Sequence, residues 1–591
     1  MPGVDVTVEV CGMAGDGTIA AGGMINDAMS HGGFSVLGFD SYPAEIRGFG
    51  RCVTRSRVGD REIRALDEAT HVLISLNDEE SKSRVPVLTR DCVVLFDSNP
   101  PVLVEEDRSL VAILDPETRL FPMPFGDLAA AAAGTQRGRN LVALGGFAAV
   151  CGADPELFRE AIRAKFKAKS QSVLQANLKS FDAGYAYALE KFHDRLLTMF
   201  ASADLPKGPE KVMLSGNMAI GKAALDAGLK LYFGYPITPA TPIMEYLARE
   251  LPKRGGAVVQ MEDEISSIGA VLGASYAGKR AMTATSGPGF ALMTELITHG
   301  VMAEIPAVIL NAQRGGPSTG LPTKTEQSDL HAAVFGGPGD SYRIVIAPTN
   351  VTECYYYTVK SFQLAEKYQT PVIVLTDFYL DNRVENVPMP EAREEDVRDG
   401  NIYPNVSAGE PYKRYLRTES GISPRSIPGQ AGLQFTATGL EHTERGKPDY
   451  SARNHMEMSA KRFRKIQGAL ADLPEPEEYA PDGPLSVGVI GWGSTFGSAL
   501  EAVLAARERG LRVGALKITS LYPYHEAAIR KFTSRCEEVL IPELNYSGQL
   551  ISLIGRLCRK EAIPLNLATG EPFPPSLIRK KIEELAEAGA Q

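Results

Sequence analysis

Between Gly234 and Arg314 the chain gathers residues that can act together on a small anion. The turn Tyr235-Pro236-Ile237-Thr238-Pro239 follows a short apolar run, LKLYF. Its prolines interrupt backbone pairing and leave a hydroxyl and free carbonyls at a strand end. Three acids follow, Glu262-Asp263-Glu264, then Ser-Gly-Pro-Gly beginning at Ser286, then Arg314 in NAQRGG. A carboxyl group held out of water can share a proton with a ring nitrogen. An arginine fork grips a carboxylate through two parallel hydrogen bonds. Each residue also has a plainer use. An acid at a helix start meets the dipole, a threonine caps its own turn, and most arginines end in surface ion pairs. By proximity alone, Glu262 and Glu264 compete for the acid's role.

The elements around these residues give them a common place. LKLYF, GAVVQM and AMTATS read as strands, and IMEYLARELPK and ISSIGAVLGASYAG read as helices by apolar spacing. Strand–helix–strand–helix in tight succession is the pattern of a parallel α/β sheet. Ligands of such sheets bind at the carboxyl ends of the strands. The YPITP turn, Glu264 and the SGPG loop all fall there. The second helix is rich in Gly, Ala and Ser, so another backbone can pack closely on it.

The combination GYPITP, E-x-x-x-x-G-A, TSGPG and AQRGGPSTGLPTKTEQ resembles the pyrimidine-binding domain of the thiamine-diphosphate-dependent 2-oxoacid:ferredoxin oxidoreductases. The resemblance covers nearly the whole chain and is closest to the α subunit of the 2-oxoglutarate, or KorA-type, branch. It implies that Glu264, followed by Gly269 and Ala270, is the acid that meets the aminopyrimidine ring. It implies cofactor contacts from Tyr235, Pro236, Ile237 and Gly287. Thr238 is implied to bond the substrate, and Arg314 to hold the 2-oxoacid carboxylate. A dicarboxylate needs a second cation, for which Lys324 and Arg343 are candidates. The implied reaction joins 2-oxoglutarate, coenzyme A and oxidised ferredoxin to give succinyl-CoA, CO2 and reduced ferredoxin. The same enzyme class acting on pyruvate or branched 2-oxoacids is an alternative. A noncatalytic nucleotide-binding scaffold is another, since Gly-rich βα turns serve both.

At 591 residues the chain has room for about three to five domains. Residues 1–200 read as a first α/β unit resembling the family's γ domain, with Glu45, Arg47 and Gly48 matching its signature. Its first turn carries Gly12, Gly15 and Gly17 ahead of a helix, a place where backbone N–H groups can cradle a phosphate such as that of coenzyme A. Residues 205–390 form the pyrimidine-binding domain and 391–480 a polar wrapping segment with a charged helix around Lys461–Leu470. Residues 483–591 resemble a transketolase C-terminal domain, beginning with LSVGVIGWGST. Trp492 in that turn reads as a packing residue. The expected fold is therefore multidomain α/β with parallel sheets.

Net charge is −10, which disfavours nucleic acid. No run approaches the ~20 apolar residues of a membrane span, and the start shows no secretory pattern, so a cytoplasmic enzyme is expected. The seven cysteines are scattered, without a CxxC pair. Clustered thiolates hold iron–sulfur centres, so a [4Fe-4S] relay is expected on a partner. Gly15-Asp16-Gly17 imitates the family's Mg²⁺–diphosphate motif, but Asn26 follows too soon. No metal ligand is therefore assigned to this chain. The diphosphate, Mg²⁺ and the cluster are expected on a β subunit, in an (αβ)2 assembly that meets ferredoxin.

Overall fold

The computed structural model describes residues 3–42, 50–99, 109–201, 210–393, 397 and 411–589. Glu45, Arg47 and Gly48 lie outside the described residues. The chain divides into two compact units. The first comprises residues 1–214 with the returning segments Arg383–Met389 and Pro574–Ser576.

The first unit is built on β1 (Asp5–Met13), β2 (Ser35–Ser41), β3 (Arg51–Gly59), β4 (Thr70–Ser75), β5 (Leu88–Asp97), β6 (Arg119–Met123) and β7 (Lys211–Ser215). The sheet order is β6-β5-β4-β1-β3-β2, then the strand Val384–Pro388, then β7. The β1, β4, β5 and β6 part is parallel, as expected. The rest departs from the parallel expectation: β3 runs antiparallel to both β1 and β2. The cause is connection length. The stretch between Ser41 and Arg51 is too short for a crossover, which needs a dozen residues or more. On one face, helix Arg139–Cys151 meets helix Gln171–Lys191 at backbone distance. A Cβ at Gly145 would strike the Phe181 carbonyl, and one at Gly184 the Val142 carbonyl.

Asp40 sits on β2 opposite Thr54, whose hydroxyl donates to it at 2.7 Å. Burial pushes its carboxyl up to about 6, against the hydrogen bond from Thr54 and the charge of Lys165. The folded state then holds a proton that the unfolded state has released, so stability falls as pH rises from about 4 through 6. Asp40→Asn keeps the acceptor and removes the charge. We expect it to raise stability above pH 6, by on the order of 3 kcal/mol at full effect, and to flatten the acid-side dependence of the melting curve. An unchanged pH profile in Asp40→Asn would reject this.

The second unit comprises Ser215–Asn382, Pro390–Phe573 and the last helix from Leu577. Its larger sheet contains β8 (Leu231–Gly234), β9 (Ala257–Gln260), β10 (Ala281–Thr285), β11 (Ala307–Gln313), β12 (Ile344–Ile346) and β13 (Pro371–Asp377). They pair in parallel in the order β9-β8-β10-β11-β13-β12. β11 and β13 are buried at every position, the signature of a parallel sheet covered on both faces. After Val384–Pro388 (β14) returns to the first unit, a smaller sheet forms from β15 (Glu477–Tyr479), β16 (Leu485–Gly491), β17 (Val513–Lys517), β19 (Cys536–Glu543) and β20 (Ile563–Asn566). The run LRVGALKITSLYP is not one strand as its composition suggests. It leaves the small sheet after Lys517, and β18 (Ser520–Tyr522) joins the large sheet antiparallel to β12. One apolar core consequently spans both sheets, with Ile268, Ile309, Leu516 and Leu521 in it. Trp492 is fully buried in that core, as a packing residue. The charged helix runs from Ala452 to Gly468, capped by Ser451, and starts well before Lys461.

Candidate active site

Four strand ends of the large sheet, those of β8, β9, β10 and β11, build the site. β9 ends at Gln260, and the acids follow. Glu262 is exposed. Asp263 caps helix Glu264–Tyr276, its carboxylate accepting from the Ser266 N–H at 2.7 Å. Only Glu264 turns inward, 6% exposed, at the first position of that helix. Its carboxyl group has no hydrogen-bond partner among the described residues. It faces Gly289, where an added Cβ would collide with Glu264 Oε1 and Thr285 Oγ1. Gly289 lies in the first turn of helix Gly287–Met302, whose Pro288 gives up an N–H that has no helical partner in any case. Gly289 thus makes room for the Glu264 carboxyl group against the first turn of this helix.

β8 ends at Gly234, and the YPITP turn follows. Tyr235 and Pro236 are exposed, and Ile237 and Thr238 are half-buried. β11 ends at Gln313, and Arg314 follows, 8% exposed. Arg314 Nη1 donates to the Thr238 carbonyl at 2.8 Å. The fold thus brings together two residues that sequence singled out separately, through the backbone of one. Arg314 Nε is buried without a partner. Burial pulls the guanidinium below its usual range, and the charge of Asp329 opposes the shift.

Arg314 lines a cavity of about 400 Å³ together with Gly287, Pro288, Ser318, Glu326, Ser328 and Asp329. Asp329 accepts from Asn311 Nδ2 at 3.1 Å, and burial raises its carboxyl above the ordinary range. Glu326 is raised by burial as well. A Cβ at Gly287 would lie 2.8 Å from Asp329 Oδ2, so Gly287 admits this acid. Glu326, Ser328 and Asp329 were not picked out from sequence. The signal available was the polar run Glu326-Gln327-Ser328-Asp329 directly after the glycine loop.

Two expected contributors stand elsewhere. Lys324 pairs with Glu571 and is not among the residues lining the cavity. Arg343 is fully buried and holds its own loop through the Gly336 and Ser341 carbonyls and the Ser341 hydroxyl. Burial pulls it down to about 10.

In the first unit, Gly12 is the last residue but one of β1, and Gly15 and Gly17 have φ of 103° and 82°. That left-handed backbone suits glycine. Asp16 Oδ2 accepts from the Met13 N–H at 2.8 Å, so the aspartate of this GDG closes its own turn. Gly17 starts helix Thr18–His31 without a side-chain cap, leaving its first N–H groups available.

Family models match most of the chain. Pyruvate ferredoxin/flavodoxin oxidoreductase covers residues 7–187. The thiamine-diphosphate-binding model of pyruvate flavodoxin/ferredoxin oxidoreductase covers 222–461. Core domain II of pyruvate:ferredoxin oxidoreductase covers 486–571. The 2-oxoglutarate synthase subunit KorA of Methanocaldococcus jannaschii is 37% identical over 62% of this chain and 98% of its own length. The 2-oxoglutarate oxidoreductase subunit KorA of Mycobacterium tuberculosis is 32% identical over 93% of this chain and 87% of its own. A solved 2-oxoglutarate:ferredoxin oxidoreductase from Magnetococcus marinus, with 2-oxoglutarate, coenzyme A and succinyl-CoA bound, superposes with a TM-score of 0.92 at 37% identity, over 99% of this chain and 100% of that one. The chain belongs to the 2-oxoacid:ferredoxin oxidoreductase family, as an α subunit of the KorA type.

Proposed function

We propose that this chain supplies the pyrimidine half of the cofactor site and the carboxylate grip of an enzyme that interconverts 2-oxoglutarate plus coenzyme A with succinyl-CoA plus CO2, exchanging electrons with ferredoxin. The observation that carries the reading is the pair Glu264 and Arg314. One is a buried carboxyl group with no partner, and the other a buried guanidinium with a free Nε beside a cavity. A noncatalytic scaffold has no use for both. The 2-oxoglutarate assignment leans on the names of the KorA relatives and of the solved neighbour.

Thiamine diphosphate, when bound, supplies a carbanion equivalent that adds to a 2-oxo carbon. Glu264 would hold a proton at the aminopyrimidine ring nitrogen, its carboxyl group seated where a side chain at Gly289 would otherwise stand. Tyr235, Pro236, Ile237 and Gly287 are the proposed cofactor contacts. Arg314 orients the substrate carboxylate, and the Thr238 carbonyl keeps the guanidinium in place. Arg314 is the one cation among the described residues lining the cavity, and a partner chain could supply the second that a distal carboxylate needs.

That partner is a β subunit carrying the diphosphate, Mg²⁺ and a [4Fe-4S] cluster in an (αβ)2 enzyme of the cytoplasm. All seven cysteines here are free, and five are buried. Burial pushes Cys11 up to about 11 and Cys92 up to about 12, far from thiolate. No described helix is long and apolar enough to cross a membrane. Gly12, Gly15 and Gly17 are the proposed contact for a phosphate of coenzyme A. We divide the chain functionally into 1–200, 205–390, 391–480 and 483–591.

The test is an activity screen of the co-purified complex across 2-oxoacids with a viologen acceptor, run beside Arg314→Lys. Lysine keeps the charge and loses the fork. Losing one charge-assisted bond costs roughly 1.5–3 kcal/mol, about ten- to a hundredfold in kcat/KM. The loss should fall on every 2-oxoacid, since all share that carboxylate. An unchanged kcat/KM in Arg314→Lys rejects the grip, and a preference for pyruvate in the screen rejects 2-oxoglutarate.

A further inference from the structure

We propose that Gln327 is a positioning residue, through which the GWGST turn at the end of β16 sets the wall of the cavity facing Arg314. The inference rests on the carboxylate grip assigned to Arg314 above. Gln327 is fully buried, and all four of its polar groups are engaged. Its N–H donates to the Leu544 carbonyl at 2.6 Å, and its carbonyl accepts from Asn545 Nδ2 at 3.0 Å. Its Nε2 donates to Asp377 Oδ2 at 3.0 Å, and its Oε1 accepts from the Thr495 hydroxyl at 2.7 Å. Three of the four partners thus come from the C-terminal part of the chain, and one from the end of β13.

The GWGST turn is shaped to receive this amide. Gly493 has φ of 55°, and a Cβ there would collide with Gln327 Nε2. Thr495, two residues on, supplies the hydroxyl. The turn's glycine and its threonine therefore serve one side chain, that of Gln327.

What the amide holds is the cavity. Glu326 and Ser328, on either side of Gln327, both line it. Asp329 is tied down next: its N–H donates to Gln313 Oε1 at 3.0 Å, and Gln313 Nε2 donates to the Thr376 carbonyl at 2.9 Å. Gln313 directly precedes Arg314 and pairs in register with Asp377. Asp377 is thus the common anchor. It stands beside the strand that carries Arg314 and grips the loop that carries the acids, taking the Thr325 hydroxyl on its other oxygen at 3.1 Å. A shift of Gln327 would move the acids relative to Arg314 without touching Glu264.

The experiment uses the complex with its partner subunit. Thr495→Val keeps the shape and leaves Gln327 Oε1 buried without a donor, a loss of about tenfold in an equilibrium constant. We expect KM for the 2-oxoacid to rise about tenfold with kcat within about twofold, and Thr495→Ser to restore it. If Thr495→Val does not assemble, Thr495→Ala, which removes the same donor without adding a methyl group, is read the same way. A Thr495→Val complex that melts earlier yet keeps its KM makes Gln327 a structural bolt only and overturns the proposal. So does a Thr495→Ser complex that fails as badly as Val. Arg314→Lys in the same assay separates the two inferences. A rise in KM there and none in Thr495→Val rejects the positioning role alone, whereas no change in either rejects the carboxylate grip beneath it.

Discussion

Glu264→Gln should fold as the parent does and slow exchange of the cofactor's C2 proton by about 10²–10⁴, the usual worth of a general acid–base group. Sterics preserve the fold. Glutamine has the same shape, so it fits beside Gly289, where even one added carbon would collide. The structural cost is confined to a lost negative charge at the start of helix Glu264–Tyr276, roughly 0.3–1 kcal/mol. The chemical cost is larger because an amide cannot hold a shared proton on a ring nitrogen. A factor of 10²–10⁴ corresponds to about 3–5 kcal/mol of barrier, so the two effects are separable in size. The readout is quenched-flow NMR of C2-proton exchange in the assembled complex without substrate. Glu262→Gln is the control, since Glu262 is exposed while Glu264 is buried. Exchange that is normal in Glu264→Gln and slow in Glu262→Gln would transfer the role to the other acid.

Residue type and proximity left that distinction open, and only the family spacing to Gly269 and Ala270 chose Glu264. Two glutamates flanking an aspartate look alike until the helix start is fixed. Once Asp263 is the cap, Glu262 is outside the helix and Glu264 inside it. The rest of the catalytic corner was legible because parallel βα units are local: each strand end is followed at once by its loop and helix. YPITP after β8, Glu264 after β9, Gly287 after β10 and Arg314 after β11 follow from this one rule. Contacts that skip along the chain were not legible. The pairing of Lys324 with Glu571, the seating of Gln327 under Thr495 and the switch of the chain from β17 to β18 all join distant segments with no periodic pattern. The mixed part of the first sheet escaped for a different reason. β2 and β3 are strands whose direction depends only on the length of the loop between them.

The wrapping segment shows the same limit most sharply. Its helix, Ala452–Gly468, looks solvated because it is crowded with charge, yet Lys461 and Lys465 are buried. Both pair with Glu304, which is itself fully buried, with Lys465 at 2.7 Å. Lys465 also donates to the Gln369 carbonyl at 3.1 Å, and Arg414 to the Glu304 carbonyl at 2.7 Å. The segment is docked by an ion cluster rather than by an apolar stripe, so hydrophobic periodicity could not reveal it.

The second large effect follows from this cluster. Glu304→Gln removes the single negative charge and leaves two ammonium groups buried without a counterion. Breaking a buried pair in this way costs about 3–5 kcal/mol, so the unfolding midpoint should fall steeply and helix Ala452–Gly468 should lose its protection from hydrogen exchange. Its pH dependence identifies the cause. Burial pushes the Glu304 carboxyl up, but Lys461, Lys465 and Arg414 together hold it well below the usual carboxylate range. Burial in turn pulls Lys465 down to about 8. Without Glu304 the folded lysines bind their protons still less tightly than in the parent. The folded variant then carries fewer protons than the folded parent, and its stability rises faster with pH. The deficit should therefore be greatest on the mildly acidic side, where the lysines are charged in both proteins, and narrow as pH is raised towards about 8. A deficit equal at every pH would mean that lost contacts, and not unpaired charge, account for it. The triple change of Glu304, Lys461 and Lys465 to methionine should recover most of the loss, because apolar side chains of similar volume commonly match a buried ion cluster in stability.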